Sequence, residues 1–273
     1  MTAMIDEQKI ELTGGAPVPL RTRWVRTGSP STSCQVLGLH MLGLDADSFA
    51  AVADAMGPDV CWHAYDQRGH GGAADQPPDG FGAWVDDAVA AIRRIDADRL
   101  HLVGSSMGGA VAAEAAARTP AGRVASLAMI ATPAEGRPVF AERARAQSDG
   151  TLERVIPPTL ARWFGDDPPA APADLSARSI RRMTPAGYDA SWRALAEFRG
   201  FAPLADRLPP TLAVSFTDDL STPPAELDRI AEAVRRAGRR CDRVDIPGTG
   251  HAGVLCKPAE LADALRSHLQ AAE

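Results

Sequence analysis

Seven short runs of mostly apolar residues recur along the chain, at 21–27, 34–40, 60–66, 99–105, 124–132, 211–217 and 241–247, and each reads as a β-strand. Between them, DADSFAAVADAM, GFGAWVDDAVAAIRRI, SMGGAVAAEAAARTP and PPAELDRIAEAVRRAG carry apolar residues at i, i+3 and i+4, the spacing of amphipathic helices. Runs such as RLHLVGS and VASLAMIAT are apolar almost throughout, which suits strands covered on both faces of a parallel sheet. Strands alternating with helices predict an α/β architecture, a mostly parallel sheet flanked by helices.

The alternation breaks between about 134 and 207, where no convincing strand occurs. That stretch holds the helical patterns ERARAQSD, TLERVIPPTLARWF and GYDASWRALAEF, with GDDPPAAPAD reading as a Pro-rich connector. The expected organisation is a core of residues 1–133 and 208–273, with a helical lid of residues 134–207 over the carboxyl edge of the sheet.

Composition adds mostly exclusions. A formal charge of −6 argues against nucleic acid or an anionic membrane as partner. No run of about 18 apolar residues marks a membrane span, and MTAMIDEQKIELTGG has no apolar segment of a secretory signal. Cys34, Cys61, Cys241 and Cys256 lack CxxC spacing and read as reduced thiols, so the expected compartment is the cytoplasm, with neither a disulfide nor a bound metal expected from them.

The chemistry concentrates in a few turns. Gly104-Ser105-Ser106-Met107-Gly108 is G-x-S-x-G between a predicted strand and a predicted helix. Glycines two before and two after let helix and strand approach around a sharp turn, which selects Ser106 over Ser105 as nucleophile. A serine hydroxyl needs a base. His251, in VDIPGTGHAGVL, follows the last predicted strand on a Gly-rich turn. His63 and His101 fall within strand patterns, His70 reads as a loop-shaping residue, and His268 in the terminal helix is expected in solvent. The carboxylate to orient the imidazole is Asp218 or Asp219 at a strand end; Asp219 is favoured, and Ser106, Asp219, His251 is the nucleophile–acid–base order. Backbone N–H groups of Met107 and of Leu42, from the loop His40-Met41-Leu42-Gly43, would receive an oxyanion, with Met41 as Leu42's neighbour.

GLHMLGLD, YDQRGHG, GSSMGG, TDDLSTP and GTGH together resemble the α/β-hydrolase superfamily over nearly the whole chain. IATPAEGRP, ERARAQSDGTLERVIPPTLARWF and MTPAGYDASWRAL are similar to the 3-oxoadipate enol-lactonase group. The resemblance implies the α/β-hydrolase fold with a helical lid after its sixth strand, and a cofactor-free serine hydrolase acting on a small ester or a carboxylate-bearing lactone. It also implies triad roles for Ser106, Asp219 and His251 and oxyanion donors at Leu42 and Met107. Met41, Arg162 and Trp163 become candidates for substrate binding, and the lid residues Arg162, Trp163, Arg181 and Arg182 for holding a substrate carboxylate or sealing the pocket. The partner is then a small-molecule ester or lactone, and the chain could pair with a second copy as a homodimer.

Rival chemistries of this fold include a methylesterase, thioesterase, C–C hydrolase and perhydrolase; a ligand-binding protein with little turnover is a rival of another class. A haloalkane dehalogenase is disfavoured because Ser, not a carboxylate, occupies the elbow. Residues 248–253 also spell G-x-G-x-x-G, but the dinucleotide fingerprint needs a βαβ unit with an acidic residue about 20 positions on, and only one helix follows.

Overall fold

The computed structural model describes residues 5–15, 17–144 and 151–272. Its centre is an eight-stranded sheet of β1 (Ile5–Leu12), β2 (Leu20–Thr27), β3 (Cys34–Leu39), β4 (Val60–Tyr65), β5 (Leu100–Ser105), β6 (Val124–Ile130), β7 (Thr211–Phe216) and β8 (Cys241–Ile246), in the order β1-β2-β4-β3-β5-β6-β7-β8. From β4 to β8 neighbouring strands are parallel, while β2 joins β4 and β1 joins β2 antiparallel. This is the α/β-hydrolase architecture.

The seven predicted strands all form, and β1 is an eighth. Its sequence, IDEQKIEL, exposes most positions and buries only Ile10 and Leu12. An edge strand needs little apolar surface, and its charges discourage pairing with another chain. β5 and β6, by contrast, are buried at every position, because helices cover both faces.

The core helices are α1 (Ala50–Met56), α2 (Phe81–Arg94) and α3 (Met107–Arg118) before the insertion, and α8 (Pro224–Arg236), α9 (Gly253–Cys256) and α10 (Pro258–Gln270) after it. Between β6 and β7 stand α4 (Pro138–Ala144), α5 (Ile156–Phe164), α6 (Ala170–Arg182) and α7 (Pro185–Ala196). Most of ERARAQSD lies outside the described residues.

Two expectations are corrected here. The Pro-rich connector is short, because α6 begins at Ala170 inside it. Pro172 lies in the first turn, where a backbone N–H has no helical partner to lose. His268 is buried, not solvated, because α10 turns Leu261, Leu265, His268 and Leu269 onto the sheet.

The insertion is fastened to the core by polar contacts as well as packing. Buried Ser179 of α6 donates to buried Asp45 at 3.0 Å, and Phe81 N–H at the start of α2 donates to Glu197 at 3.2 Å. No helix among the described residues is long and apolar enough to cross a membrane.

Within the sheet, His63 and His101 are buried and hydrogen-bonded to Gln35 and Ser126. Burial pushes each imidazole down from 6.5 to about 4. A depressed histidine favours the neutral folded state, so the unfolded chain binds the extra proton between these values. Stability contributed by each residue is therefore complete above pH 6.5 and is lost as pH falls towards about 4. Urea midpoints measured across this window should fall with acidification, and His63→Gln should make the fall shallower by up to about 1.4 kcal/mol per pH unit.

Candidate active site

β5 ends at Ser105 and α3 begins at Met107, which leaves Ser106 alone in the turn between them. Its φ of +51° lies in a region that non-glycine residues rarely adopt. Close packing imposes this conformation. A Cβ on Gly108 would overlap the Leu39 carbonyl oxygen, and a Cβ on Gly104 would overlap the Gly108 backbone. The turn is tied down by Ser106 N–H donating to the Ile130 carbonyl at 2.7 Å and Gly109 N–H donating to the Ser106 carbonyl at 3.0 Å.

Asp219 and His251 reach the serine from the ends of β7 and β8. The Ser106 hydroxyl lies 3.0 Å from His251 Nε2, and Nδ1 of the same ring lies 2.7 Å from Asp219 Oδ2. This arrangement gives the imidazole a proton on Nδ1 donated to the carboxylate, and a free lone pair on Nε2 facing the serine. The other carboxylate oxygen accepts the N–H groups of Ser221 and Thr222 at 2.7 and 2.9 Å. Asp218 stays out of this relay and accepts from Thr217 at an exposed turn. All three relay residues are buried.

In the turn carrying His251, Gly248 has a φ of +70° and the other two glycines are in close contact with protein. Gly250 sits where a Cβ would overlap the Trp163 carbonyl, and Gly253 lies against the ring of Phe216. The Trp163 ring itself lies 6.3 Å from the His251 ring.

The loop after β3 is shaped by the turn after β4. His40 Nε2 accepts Gln67 N–H at 2.9 Å, its Nδ1 lies 2.9 Å from the Met41 carbonyl, and Gln67 Nε2 donates to the His40 carbonyl at 2.8 Å. Burial pushes the His40 imidazole down, which keeps it neutral and able to accept. Below it, Arg68 and Asp87 form a buried bidentate pair at 2.7 and 3.0 Å, and His70 shapes the same turn by bonding to the Arg68 carbonyl at 2.9 Å.

A cavity of about 20 Å³ opens over Ser106 and His251, little more than room for one water. Leu42 and Trp163 line it, as the sequence analysis expects; Met41 does not, because its side chain is buried in the core. Arg162 does not reach the wall either: it donates to Ser221 Oγ at 3.1 Å and to Thr159 Oγ1 at 3.4 Å. Arg181 pairs with Glu153, and Arg182 with Asp45, both away from the cavity.

The lining residues that sequence reasoning missed are Phe140, Arg143, Trp192 and Leu195 from the insertion. The Arg143 guanidinium lies 5.0 Å from the Trp192 ring and 5.6 Å from the Phe140 ring. Burial, then the charges of Arg162 and Arg137, push it down to about 10, and among the described residues no carboxylate pairs with it. Phe140 and Trp192 stand at helical spacing in the sequence, but nothing local shows that they face Ser106. Among the described residues no group of His, Cys, Asp and Glu is arranged to hold a metal ion.

A profile of the alpha/beta hydrolase family matches residues 36–264. The chain belongs to this family. Among solved structures it is similar to a thermophilic esterase from Thermogutta terrifontis, with 24% identity and a TM-score of 0.85 over 97% of this chain and 99% of that one. It is also similar to the enol-lactonase from Burkholderia xenovorans, with 22% identity and a TM-score of 0.80 over 91% and 97%. A putative non-heme bromoperoxidase from Mycobacterium tuberculosis follows at 20% identity and a TM-score of 0.76 over 92% and 96%. At these identities the likeness is one of fold. No curated protein matches the chain in sequence.

The elbow yields a direct test. Gly108→Ala should destabilise the protein by about 1–3 kcal/mol or more, because the methyl group must displace backbone, not a side chain. A thermal melt lowered by several degrees is expected; an unchanged melt would show that the close approach of α3 to β3 carries no constraint.

Proposed function

We propose that this alpha/beta hydrolase is a serine hydrolase that cleaves a small ester or lactone through an acyl-enzyme. The observation that carries the reading is the continuous relay from the Ser106 hydroxyl through His251 to Asp219, at 3.0 and 2.7 Å. Ser106 Oγ attacks the carbonyl carbon as its proton passes to His251 Nε2. Asp219 holds the imidazole in orientation and stabilises the imidazolium that forms. Backbone N–H groups of Leu42 and Met107 receive the negative charge on the carbonyl oxygen. The carbon–oxygen bond then breaks, and His251 returns the proton to the leaving alkoxide. Water attacks the acyl-enzyme with His251 as base, releasing the acid and restoring Ser106. The helical insertion acts as the lid over this chemistry, and Phe140, Trp163 and Trp192 give the substrate an apolar wall.

The finer reading is a substrate that carries a carboxylate, in the manner of an enol-lactonase. Arg143 supports it, as a half-buried cation on the cavity wall whose described surroundings include other arginines but no paired carboxylate. An anion would lower the cost of burying that charge.

A fluorophosphonate probe should label the wild type and not Ser106→Ala, and p-nitrophenyl acetate hydrolysis should fall by about a thousandfold or more in that variant. Asp219→Asn should lose about ten-thousandfold in kcat, since the imidazole then adopts the wrong tautomer. A wild type that neither labels nor turns over sinks the reading.

The carboxylate preference is read separately. The ratio of kcat/KM for p-nitrophenyl hemisuccinate to that for the acetate should fall about tenfold or more in Arg143→Gln. An unchanged ratio removes the anionic substrate while leaving the hydrolase.

A further inference from the structure

The last turn of α5 touches both turns that complete the relay. Arg162 Nε donates to Ser221 Oγ at 3.1 Å. The amide of that same Ser221 donates to Asp219 Oδ1, and its carbonyl accepts Arg137 at 3.2 Å from the start of the insertion. Ser221 is thereby held at three atoms: by the carboxylate, by α5 and by the segment leading into α4. One residue further on, the Trp163 carbonyl abuts Gly250 and the Trp163 ring faces His251. A single turn of one lid helix thus bears on the acid through Ser221 and on the base through Gly250.

Arg162 does not line the cavity, and no carboxylate is within ion-pair range of it among the described residues. Burial pushes its guanidinium down, while Tyr188 and Asp219 pull it back up. A half-buried arginine whose directed bonds go to hydroxyl oxygens is well suited to fixing geometry, because its planar fork loses little freedom for each bond it makes. The cavity of about 20 Å³ adds a second consideration. A substrate with several carbon atoms cannot occupy it unless the insertion moves, and α5 is part of the wall that must yield.

We propose that Arg162 is a positioning residue: through Ser221 it holds the turn that presents Asp219 to His251, so that the relay is set when α5 is seated. This rests on the serine-hydrolase reading for its kinetic consequences, though not for its structural ones. Seating of the lid helix and orientation of the imidazole become one event. An insertion shifted outward leaves Asp219 with its own backbone bonds but without the brace on the turn that supplies them.

The test uses Arg162→Gln, Arg162→Lys, Ser221→Ala and the Arg162→Gln/Ser221→Ala pair, each first checked for a wild-type melting profile. The first readout is the His251 Nδ1–H proton, observed far downfield by NMR and assigned by its loss in His251→Ala. It should be present in the wild type, weakened or shifted upfield in Arg162→Gln and Ser221→Ala, and partly restored in Arg162→Lys. The second is kinetic, with p-nitrophenyl acetate: each single change should lower kcat about tenfold with a smaller change in KM. The double variant should lie within about twofold of the worse single variant, because both changes remove one contact.

A downfield resonance unaltered in Arg162→Gln overturns the proposal, as does a raised KM at constant kcat, which would make Arg162 a substrate-binding group. Multiplying losses in the double variant also overturn it. If the wild type fails to react with a fluorophosphonate while the resonance still depends on Arg162, the hydrolase reading falls and the positioning role stands. If the probe reacts and the resonance ignores Arg162, the reverse holds. Should Arg162→Gln fail to fold, Ser221→Ala carries the same two readouts.

Discussion

The approach of α3 to the carboxyl end of β3 and β5 is the constraint on which the rest of the molecule depends. Gly108 lies against the Leu39 carbonyl and Gly104 against the Gly108 backbone, so the chain between them has no room for an ordinary turn. Ser106 takes a positive φ as a result, and its hydroxyl is held out above the sheet edge. Strain of this kind costs about 1–3 kcal/mol and persists only where surrounding structure over-determines it. Here β5 and β6, buried at every position, supply that surrounding structure. The strained residue is thus held between strands that are buried at every position.

Around that point the other groups stand on supports of another kind. The loop after β3 takes its shape from His40 and Gln67, and the acid turn takes its shape from Ser221 and Thr222. Both supports are hydrogen-bonded turns and not secondary structure, and both meet the helical insertion. Gly43 packs against the Trp163 ring, and Ser221 accepts from Arg162. The insertion is therefore more than a cover. It touches the two segments that carry the proposed oxyanion donor Leu42 and the Asp219 carboxylate, as supporting contacts do in preorganised sites.

Much of this was legible in the sequence because the chemistry sits at strand ends. A strand's apolar pattern, followed at once by G-x-S-x-G, DD or GTGH, fixes both the element and the turn. β1 escaped because IDEQKIEL presents its charges to solvent on an edge, where pattern carries little weight. α6 escaped because two prolines stand just before it and Pro172 lies in its first turn, the one part of a helix that tolerates proline. Arg143, Phe140 and Trp192 could not be placed from sequence, since their meeting over Ser106 depends on how α4 and α7 pack and not on any local spacing. Arg162 is a similar case: a cation near a pocket reads as a ligand group, and nothing local in the sequence shows that its guanidinium donates to the Ser221 hydroxyl.

The smallness of the cavity bears on which event governs the rate. With free volume close to that of one water, the cavity has no room for a substrate of several carbon atoms, so in the proposed reaction part of its wall, α4, α5 or α7, has to give way first. Such motions run on microsecond to millisecond timescales and often limit well-evolved enzymes. For an ester with a good leaving group, acyl transfer on the proposed relay would be the quicker event once α5 is seated. In the proposed reaction, leaving-group ability would then cease to influence turnover beyond a threshold, and the rate would follow the movement of the helices that wall the cavity.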